Sequence, residues 1–410
     1  MTHFEENLKK YAQLVIQVGI NIQKGQTLVI HAPITSSRLV RELSKQAYKS
    51  GAKNVHVEYS DEDLTLIKYL HSPLEGLKEF PHWKAKGLVE LAKNNAAFLY
   101  IAASNPTLFQ DIDAERLAIA MKTNASGMKE LNEYRINSQC SWSIISMPTI
   151  EWASQIFPEL DAKEGVNKLW DLIFKTTRVT DDNPIQAWQN HIQLLNSKAH
   201  HLNERKYKKL HYKSDKTDLT IELPNNHKWL SAQFQNKLHT PFIPNMPTEE
   251  VFTVPLKKGV NGVVRSTKPL NYGGTLINNF SLTFREGKVI DCSAETGYET
   301  LKKLLETDEG ALHLGEIALV PHDSPISNTN VIFFNTLFDE NASCHLALGN
   351  ALPMCIQNGI NMSKAELQEN GLNDSITHVD FMIGSANLDI DGETSSGKLE
   401  PIFRKGNWAF

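Results

Sequence analysis

The chain has 410 residues, a net charge of −5 and 41% hydrophobic residues. This length predicts two domains, or three, and the hydrophobic fraction excludes a disordered chain. The acidic balance argues against a dedicated nucleic-acid binder, which normally carries a basic stripe.

The first half of the sequence alternates helix and strand patterns. Apolar residues at helical spacing predict helices over Glu5–Val18 and Ser37–Ser50. Short apolar, β-branched runs predict strands at Thr27–His31, Asn54–Tyr59 and Ala97–Ala102. We therefore expect an α/β domain with a mostly parallel sheet over residues 1–205.

The pattern changes after about Tyr207. Alternating segments predict strands at 218–223, 262–266, 279–285 and 289–293, and Glu286-Gly287 between the last two predicts a hairpin. A helix is expected over Thr296–Glu306. Residues 206–410 are thus predicted to form an α+β domain with a largely antiparallel sheet, joined to the first by a polar helix around 183–207.

Features of export and membrane insertion are missing from the sequence. The longest apolar runs fall far short of the ~20 residues that span a bilayer, and the acidic N-terminal segment lacks a secretory signal pattern. The four cysteines are scattered and contain no Cys-x-x-Cys pair, so we expect reduced thiols. We therefore predict a cytoplasmic protein with no membrane partner.

Several catalytic signatures are also missing. The sequence contains no phosphate-binding glycine loop, no His-Glu-x-x-His and no Gly-x-Ser-x-Gly. A cysteine nucleophile at Cys344 beside His345 is an alternative, but adjacent residues on a strand or helix point apart and do not form a pair by adjacency.

Carboxylates and histidines recur in four segments of the second half. Glu249 and Glu250 follow a proline turn and enter a strand, where their side chains should face opposite ways. Glu316 begins an apolar strand. Glu340 is expected in a polar loop and His345 just inside a helix of small residues. His378 and Asp380 lie two apart on a strand and should share one face.

Each segment alone also fits an ordinary surface or core residue. Because at most one of Glu249 and Glu250 would face a given site, the segments together supply four carboxylates and two imidazoles. That is the ligand count of a dinuclear hydrolase, in which two ions lie ~3.5–4 Å apart. Mixed nitrogen and oxygen ligands without thiolates suit zinc, cobalt or manganese.

Long motifs in the same region resemble one family, the thermophilic-type metallo-aminopeptidases that include aminopeptidases T and S. The similar stretches are Asn245–Thr253 (NMPTEEVFT), Ser266–Leu270 (STKPL), Leu305–Ala311 (LETDEGA), Gly315–Ser327 (GEIALVPHDSPIS), Asn335–Gly349 (NTLFDENASCHLALG), Asp389–Gly392 (DIDG) and Gly406–Trp408 (GNW). The N-terminal half is similar more loosely.

The resemblance implies a ligand set and an activity. Glu250 would bind one ion, and Glu316 would bind both or bridge them. Glu340 and His345 would complete the first site, and His378 and Asp380 would hold the second ion. Two divalent ions are expected, zinc or cobalt first, with manganese or magnesium as alternatives.

With such a site the chain would remove N-terminal residues from peptides by metal-assisted hydrolysis, with broad preference. Glu316 would act in catalysis, and Glu249 would carry the proton to the leaving amine. The family also forms dimers, so a homodimer is expected.

One departure from the family concerns position 352, where the family usually has tyrosine and this chain has Leu352. Loss of a hydroxyl that stabilises an oxyanion costs on the order of 10²–10³ in rate. The sequence therefore indicates a weaker enzyme, or another donor such as Tyr272 or His322. The alternatives are a dinuclear dipeptidase and a non-catalytic metal- or peptide-binding homologue.

Overall fold

The computed structural model describes residues 2–103, 105, 108–109, 112–272 and 275–410. Two compact units divide the chain: Met1–Asn190 with Gln233–Pro247, and His191–Ala232 with Thr248–Phe410. The sequence predicts one boundary, after residue 205. In the structure the segment Gln233–Pro247 returns to the first unit, so the division is not a single cut. Such a return depends on long-range strand pairing, which local sequence patterns do not encode.

The helices follow the apolar periodicity of the sequence. None of those described is both long and apolar enough to cross a bilayer. In chain order they are α1 (His3–Leu14), α2 (Ser37–Lys49), α3 (Glu62–His71), α4 (Leu74–Leu77), α5 (His82–Lys93), α6 (Ala114–Gly127), α7 (Lys129–Ile136), α8 (Ile150–Ile156), α9 (Ala162–Thr176), α10 (Pro184–Arg205), α11 (Tyr298–Leu305), α12 (Thr336–Asp339) and α13 (Lys364–Glu369).

The strands are short, and most belong to three larger sheets. They are β1 (Thr27–Pro33), β2 (Asn54–Ser60), β3 (Ala97–Ala102), β4 (Trp142–Ser146), β5 (Lys209–Lys213), β6 (Asp218–Glu222), β7 (Phe234–Gln235), β8 (Pro241–Phe242), β9 (Asn245–Met246), β10 (Val251–Thr253), β11 (Val260–Arg265), β12 (Leu270–Tyr272), β13 (Thr275–Ile277), β14 (Ser281–Arg285), β15 (Lys288–Ser293), β16 (Leu314–Leu319), β17 (His345–Gly349), β18 (His378–Met382), β19 (Asp389–Glu393), β20 (Leu399–Arg404) and β21 (Asn407–Trp408).

The first unit is built on a five-stranded sheet in the order β2-β1-β3-β4-β9, with every pair parallel. Its central strands β1 and β3 are mostly buried apolar runs, as expected for a sheet covered on both faces. Helix α2 buries one stripe, which includes Leu39, Leu43 and Ala47, so its spacing matches a helix packed on one side. The predicted α/β unit with a parallel sheet is confirmed.

The second unit contains an eight-stranded sheet and a four-stranded sheet. Their orders are β15-β14-β11-β6-β5-β19-β20-β21 and β10-β16-β17-β18, and every pair is antiparallel. The predicted hairpin joins β14 to β15. Glu286 and Gly287 both have positive φ, at 48° and 81°, as a tight two-residue hairpin turn requires. The predicted α+β unit with an antiparallel sheet is confirmed.

One local prediction was wrong. His345 does not enter a helix but begins strand β17, and Glu340 lies in a 3-10 turn after α12 rather than in an open loop. Every residue of β17 is buried. Short apolar runs of this kind fit a buried strand and a buried helix equally well, and pairing with β16 and β18 decides the outcome.

Candidate metal centre

The four-stranded sheet of the second unit carries most of the predicted ligands. Glu316 lies within β16, His345 begins β17, and Asp380 lies within β18. In the ladder Ala347 is paired with both Glu316 and Asp380. Directly paired residues share a face of the sheet, so the two carboxylates flank a small alanine side chain that leaves space between them.

Glu250, Glu316 and His345 form one group of converging side chains. One ligand atom from each lies within 4.8 Å of the others. His345 Nε2 is 3.3 Å from Glu250 Oε2, and both Glu316 and His345 are buried. Two carboxylates and one imidazole at this spacing suit a divalent ion with nitrogen and oxygen ligands.

A second group combines Glu316 with His378 and Asp380, again within 4.8 Å. His378 Nε2 is 3.1 Å from Glu316 Oε2 and 3.4 Å from Asp380 Oδ1. The shared face predicted for His378 and Asp380 therefore brings them together. Glu316 belongs to both groups, so the two groups adjoin at one carboxylate.

Backbone carbonyls orient both imidazoles. His345 Nδ1 donates to the Ser343 carbonyl oxygen at 3.1 Å, and His378 Nδ1 donates to that of Asn350 at 2.8 Å. A proton fixed on Nδ1 leaves Nε2 as the nitrogen that faces the carboxylates. Metal-binding histidines are commonly held in this way.

Glu340, the remaining predicted ligand, interacts electrostatically with the other carboxylates of the cluster. Burial raises the pKa of its carboxyl well above the usual range, and Asp380 and Glu250 raise it further. Its Oε1 accepts a hydrogen bond from Asn341 Nδ2 at 3.3 Å. Glu340 is not a member of either close group, so the structure places it beside the predicted ligands. We call these residues the candidate metal centre: Glu250, Glu316, Glu340, His345, His378 and Asp380.

The candidate metal centre contains four carboxylates but only two imidazoles, so acidic groups outnumber basic ones. Burial raises the pKa of Glu316, although His378 partly offsets it. Burial alone would lower the pKa of His345, but Glu250, Asp380 and Glu316 outweigh it and raise the pKa to about 10.

His378 behaves in the same way. Burial acts to lower its pKa, whereas Asp380 and Glu316 raise it to about 12. Four clustered carboxylates, of which that of Glu316 is buried and the other three are half-buried, thus depend on positive charge for their stability. The donor set and its charge fit bound divalent cations.

Glu249 and Glu250 precede strand β10 and contact different histidines, His191 and His345. Glu249 Oε2 is 3.5 Å from His191 Nε2, and His191 also donates to the Thr248 carbonyl oxygen at 2.8 Å. The Glu249 backbone N–H donates to Asn341 Oδ1 at 2.8 Å. His191 and Asn341 were not anticipated. Asn341 lies inside a predicted motif, whereas His191 carried no sequence signal.

Cys344 is not suited to nucleophilic catalysis. Burial raises the pKa of its thiol to about 12, and its Sγ donates to the Val320 carbonyl oxygen at 3.2 Å. A reactive cysteine needs a lowered pKa and some exposure. The thiol is therefore a packing group of the core.

Position 352 and the two alternative oxyanion donors, Tyr272 and His322, lie in different segments of the second unit. Leu352 precedes a 3-10 turn, Pro353–Cys355. Burial raises the pKa of Cys355, and Glu316 and Glu250 raise it further, so this turn lies near the candidate metal centre. Tyr272 ends β12. His322 is exposed and donates its backbone N–H to Gly406.

Comparisons with known proteins identify the family of the chain. The sequence model of the thermophilic metalloprotease (M29) family matches residues 4–408. The chain is 51% identical to "Aminopeptidase AmpS" of Bacillus subtilis (strain 168), with full coverage of both chains, and 52% identical to "Aminopeptidase 2" of Geobacillus stearothermophilus over 100% of this chain and 99% of the relative.

A solved structure shows the same architecture. Wild-type AmpT from Thermus thermophilus superimposes with a TM-score of 0.94 at 39% identity, covering 99% of this chain and 100% of that one. Both the sequence and the fold therefore match over almost their whole length, and the chain belongs to the thermophilic metalloprotease (M29) family and is a metallo-aminopeptidase.

Proposed function

We propose that this enzyme uses two divalent cations to remove N-terminal residues from peptides, with broad preference for the residue removed. The observation that carries the proposal is the position of Glu316, which belongs to both three-residue groups of the candidate metal centre. A carboxylate shared in this way suits two adjacent ions. Zinc or cobalt is the preferred metal, because the donors are imidazole and carboxylate without thiolate.

The residues divide into two sets of ligands. Glu250, Glu340 and His345 would hold one ion, His378 and Asp380 the other, and Glu316 both. Bound there, the cations would supply Lewis acidity and a water that is nucleophilic at neutral pH. Ser343 and Asn350 would hold the imidazoles in place through the Nδ1 hydrogen bonds.

Glu249 is proposed to carry the proton from the attacking water to the leaving amine. Its carboxylate is buried and faces His191, and its backbone is joined through Asn341 to Glu340. Glu249 belongs to neither three-residue group of the candidate metal centre, so its carboxylate is proposed to move a proton rather than to bind a metal. The substrate's free α-amino group would meet a metal or an acidic side chain, which explains action at N-termini only.

The ligand set is tested with Glu340→Gln, with exposed Glu299→Gln as the control. Glu340→Gln removes one charge at nearly constant size, and we expect it to abolish metal-dependent release of leucine p-nitroanilide while the control keeps full activity. Metal content is measured on both. Full activity and two bound ions in Glu340→Gln would remove this residue from the ligand set.

Reaction type and metal are tested separately. The metal-free enzyme, supplied in turn with zinc, cobalt and manganese, is assayed on a panel of aminoacyl reporters and on peptides of increasing length. Cleavage of long peptides supports an aminopeptidase, whereas cleavage of dipeptides alone identifies a dipeptidase. The proposed cytoplasmic homodimer is checked by light scattering and by cell fractionation.

A further inference from the structure

One peptide group beside the candidate metal centre is held by a side chain on each of its two sides. His191 Nε2 donates to the Thr248 carbonyl oxygen at 2.8 Å. The N–H of the same peptide group, which belongs to Glu249, donates to Asn341 Oδ1 at 2.8 Å. The peptide is trans, so its C=O and N–H point in opposite directions. His191 and Asn341 therefore hold the Thr248–Glu249 peptide from opposite sides.

The neighbouring sheet does not hold this peptide. Strand β10 begins at Val251, whose pairing partner is Leu319, so Glu249 and Glu250 lie before the first pair of the ladder. The four residues that the two side-chain hydrogen bonds join are all buried. Buried backbone groups need a hydrogen-bond partner, and His191 and Asn341 supply it at a point where the sheet does not.

Both holding side chains come from fixed positions. His191 lies on α10, and another residue of that helix, Asn203, fastens it to Trp229. Asn203 Oδ1 accepts from the Trp229 backbone N–H at 2.9 Å, and Asn203 Nδ2 donates to the Trp229 carbonyl oxygen at 2.8 Å. Asn341 is fully buried, and its Nδ2 donates to the Leu337 carbonyl oxygen at 2.9 Å. Because both side chains are anchored, the peptide between them is restricted as well.

Each holding side chain also meets a carboxylate of the proposed reaction. His191 Nε2 is 3.5 Å from Glu249 Oε2. Asn341 Nδ2 donates to Glu340 Oε1 at 3.3 Å. Glu250, a proposed metal ligand, directly follows the held peptide in the chain. The positions of three functional carboxylates thus depend on the same two side chains.

We propose that His191 and Asn341 are positioning residues of the peptidase. His191 holds the Glu249 carboxylate where it carries the proton, and Asn341 holds Glu250 and Glu340 where they bind metal. Neither side chain gains or loses a bond during hydrolysis. The inference rests on the roles proposed above for these three glutamates. A reacting group misplaced by about 1 Å costs on the order of 10²-fold in rate, so the loss of either holding side chain has a measurable effect.

Substitution of His191 tests the first of these roles. His191→Leu removes the donor, whereas His191→Gln keeps an N–H close to the position of Nε2. We expect kcat on leucine p-nitroanilide to fall by about 10–100-fold in His191→Leu, with KM within about twofold of the parent, and to recover in part in His191→Gln. His191→Ala replaces His191→Leu if the leucine variant does not fold. A kcat within threefold of the parent, or equal losses in the leucine and glutamine variants, would overturn the role of His191.

Asn203→Leu is the matched control, because it removes two hydrogen bonds of the same helix. It should lower the thermal midpoint and leave kcat unchanged. A double variant adds a second control. Once Glu249→Gln has removed the base, His191→Leu should lower kcat by less than about threefold further. The same factor in both backgrounds would contradict a role that acts through Glu249.

The failure of this inference is distinguishable from a failure of the proposed function. A large loss of kcat in Glu249→Gln, with no loss in His191→Leu, overturns the positioning role and leaves the proton-carrying role of Glu249 in place. A parent-like kcat in Glu249→Gln overturns both.

Zinc affinity tests Asn341 without any measure of activity. Competition between the metal-free enzyme and a chromophoric chelator gives the zinc dissociation constant. Asn341→Leu is similar in size but releases the Glu249 N–H and the Glu340 carboxylate, so we expect the constant to rise by about 10–100-fold, whereas Asn203→Leu keeps the parent value. A constant within threefold of the parent in Asn341→Leu, or in Asn341→Ala if the leucine variant does not fold, would overturn the role of Asn341.

Discussion

Two histidines on buried strands show how differently the two units use the same side chain. In the parallel sheet of the first unit, His31 stacks on Tyr100 with ring centroids 4.8 Å apart, and burial lowers its pKa to about 4. In the antiparallel sheet of the second unit, His345 faces carboxylates that raise its pKa to about 10. One imidazole is neutral and packs, whereas the other carries a proton that a bound metal ion would displace.

The difference lies in the neighbouring strands. The pairing partners of His31 are Glu58 on an edge strand and Tyr100, so its ring packs mainly against an aromatic side chain. His345 is paired with Ala318 and Met382, which leaves its ring free to meet Glu250. A buried histidine is therefore informative about function only when its neighbours across the sheet are known.

The largest expected effect on activity distinguishes the same substitution, histidine to phenylalanine, at His345 and at His31. His345→Phe removes an imidazole from among four carboxylates, so we expect loss of metal and a fall in kcat/KM of at least 10³. His31→Phe replaces a neutral stacked ring with another ring and should leave both unchanged. Metal analysis and hydrolysis of leucine p-nitroanilide check both variants. Equal loss of activity in two folded variants would remove the contrast between the histidines.

The number of protons released when metal binds is a second test of the difference between His31 and the histidines of the candidate metal centre. The pKa values of His345 and His378, about 10 and about 12, mean that both imidazoles hold two protons each at neutral pH without metal. Binding of both ions should release about one proton from each ring, in addition to any proton that the raised pKa leaves on the Glu340 carboxyl. The combined affinity should therefore rise by at least about 10² per pH unit.

Calorimetric titration with zinc in two buffers of different ionisation enthalpy measures this release. His31→Phe is the control and should release the same number of protons as the parent chain, because His31 is already neutral at pH 7. A release that does not depend on His345 or His378 would contradict the proposed ligand roles.

Much of the fold could be predicted because its signals are local. The strands β1, β2 and β3 and helix α2 follow from apolar runs and periodicity, and the Glu286-Gly287 turn from its backbone requirement. The common face of His378 and Asp380 follows from strand geometry alone. These features need no knowledge of distant residues.

The remainder depends on contacts between distant parts of the chain. His345 was expected in a helix because His-Leu-Ala-Leu-Gly is short and apolar, and only its pairing with β16 and β18 makes it a strand. The contact of His191 with Glu249 joins α10 to a turn far along the chain. Periodicity contains no information about such pairs, so the family resemblance had to supply the grouping of the ligands.

The acid stability of the first unit tests the neutral state of His31. Its pKa in the folded chain is about 4, below the ordinary value of 6.5, so the unfolded chain takes up the proton first as the pH falls. The stabilisation is complete above pH 6.5 and decreases towards pH 4. Between pH 7 and pH 5 this group alone should cost ~2 kcal/mol of unfolding free energy.

Urea unfolding of the parent chain and of His31→Phe at these two pH values measures that cost. The variant should lose less stability than the parent by about the same amount, since phenylalanine has no proton to gain. An identical pH dependence in both would show that His31 is not held neutral by its surroundings.

The smallest expected effect concerns Leu352, where the second unit departs from its family. Its carbonyl oxygen accepts from the Cys355 backbone N–H at 3.0 Å, and the neighbouring Ala351 N–H donates to Asn373 at 3.0 Å, so the backbone here is fixed. Leu352→Tyr should raise kcat by about tenfold or less, because the chain is a metallo-aminopeptidase although it lacks this hydroxyl. Leu352→Phe, which has the ring without the hydroxyl, should give no gain.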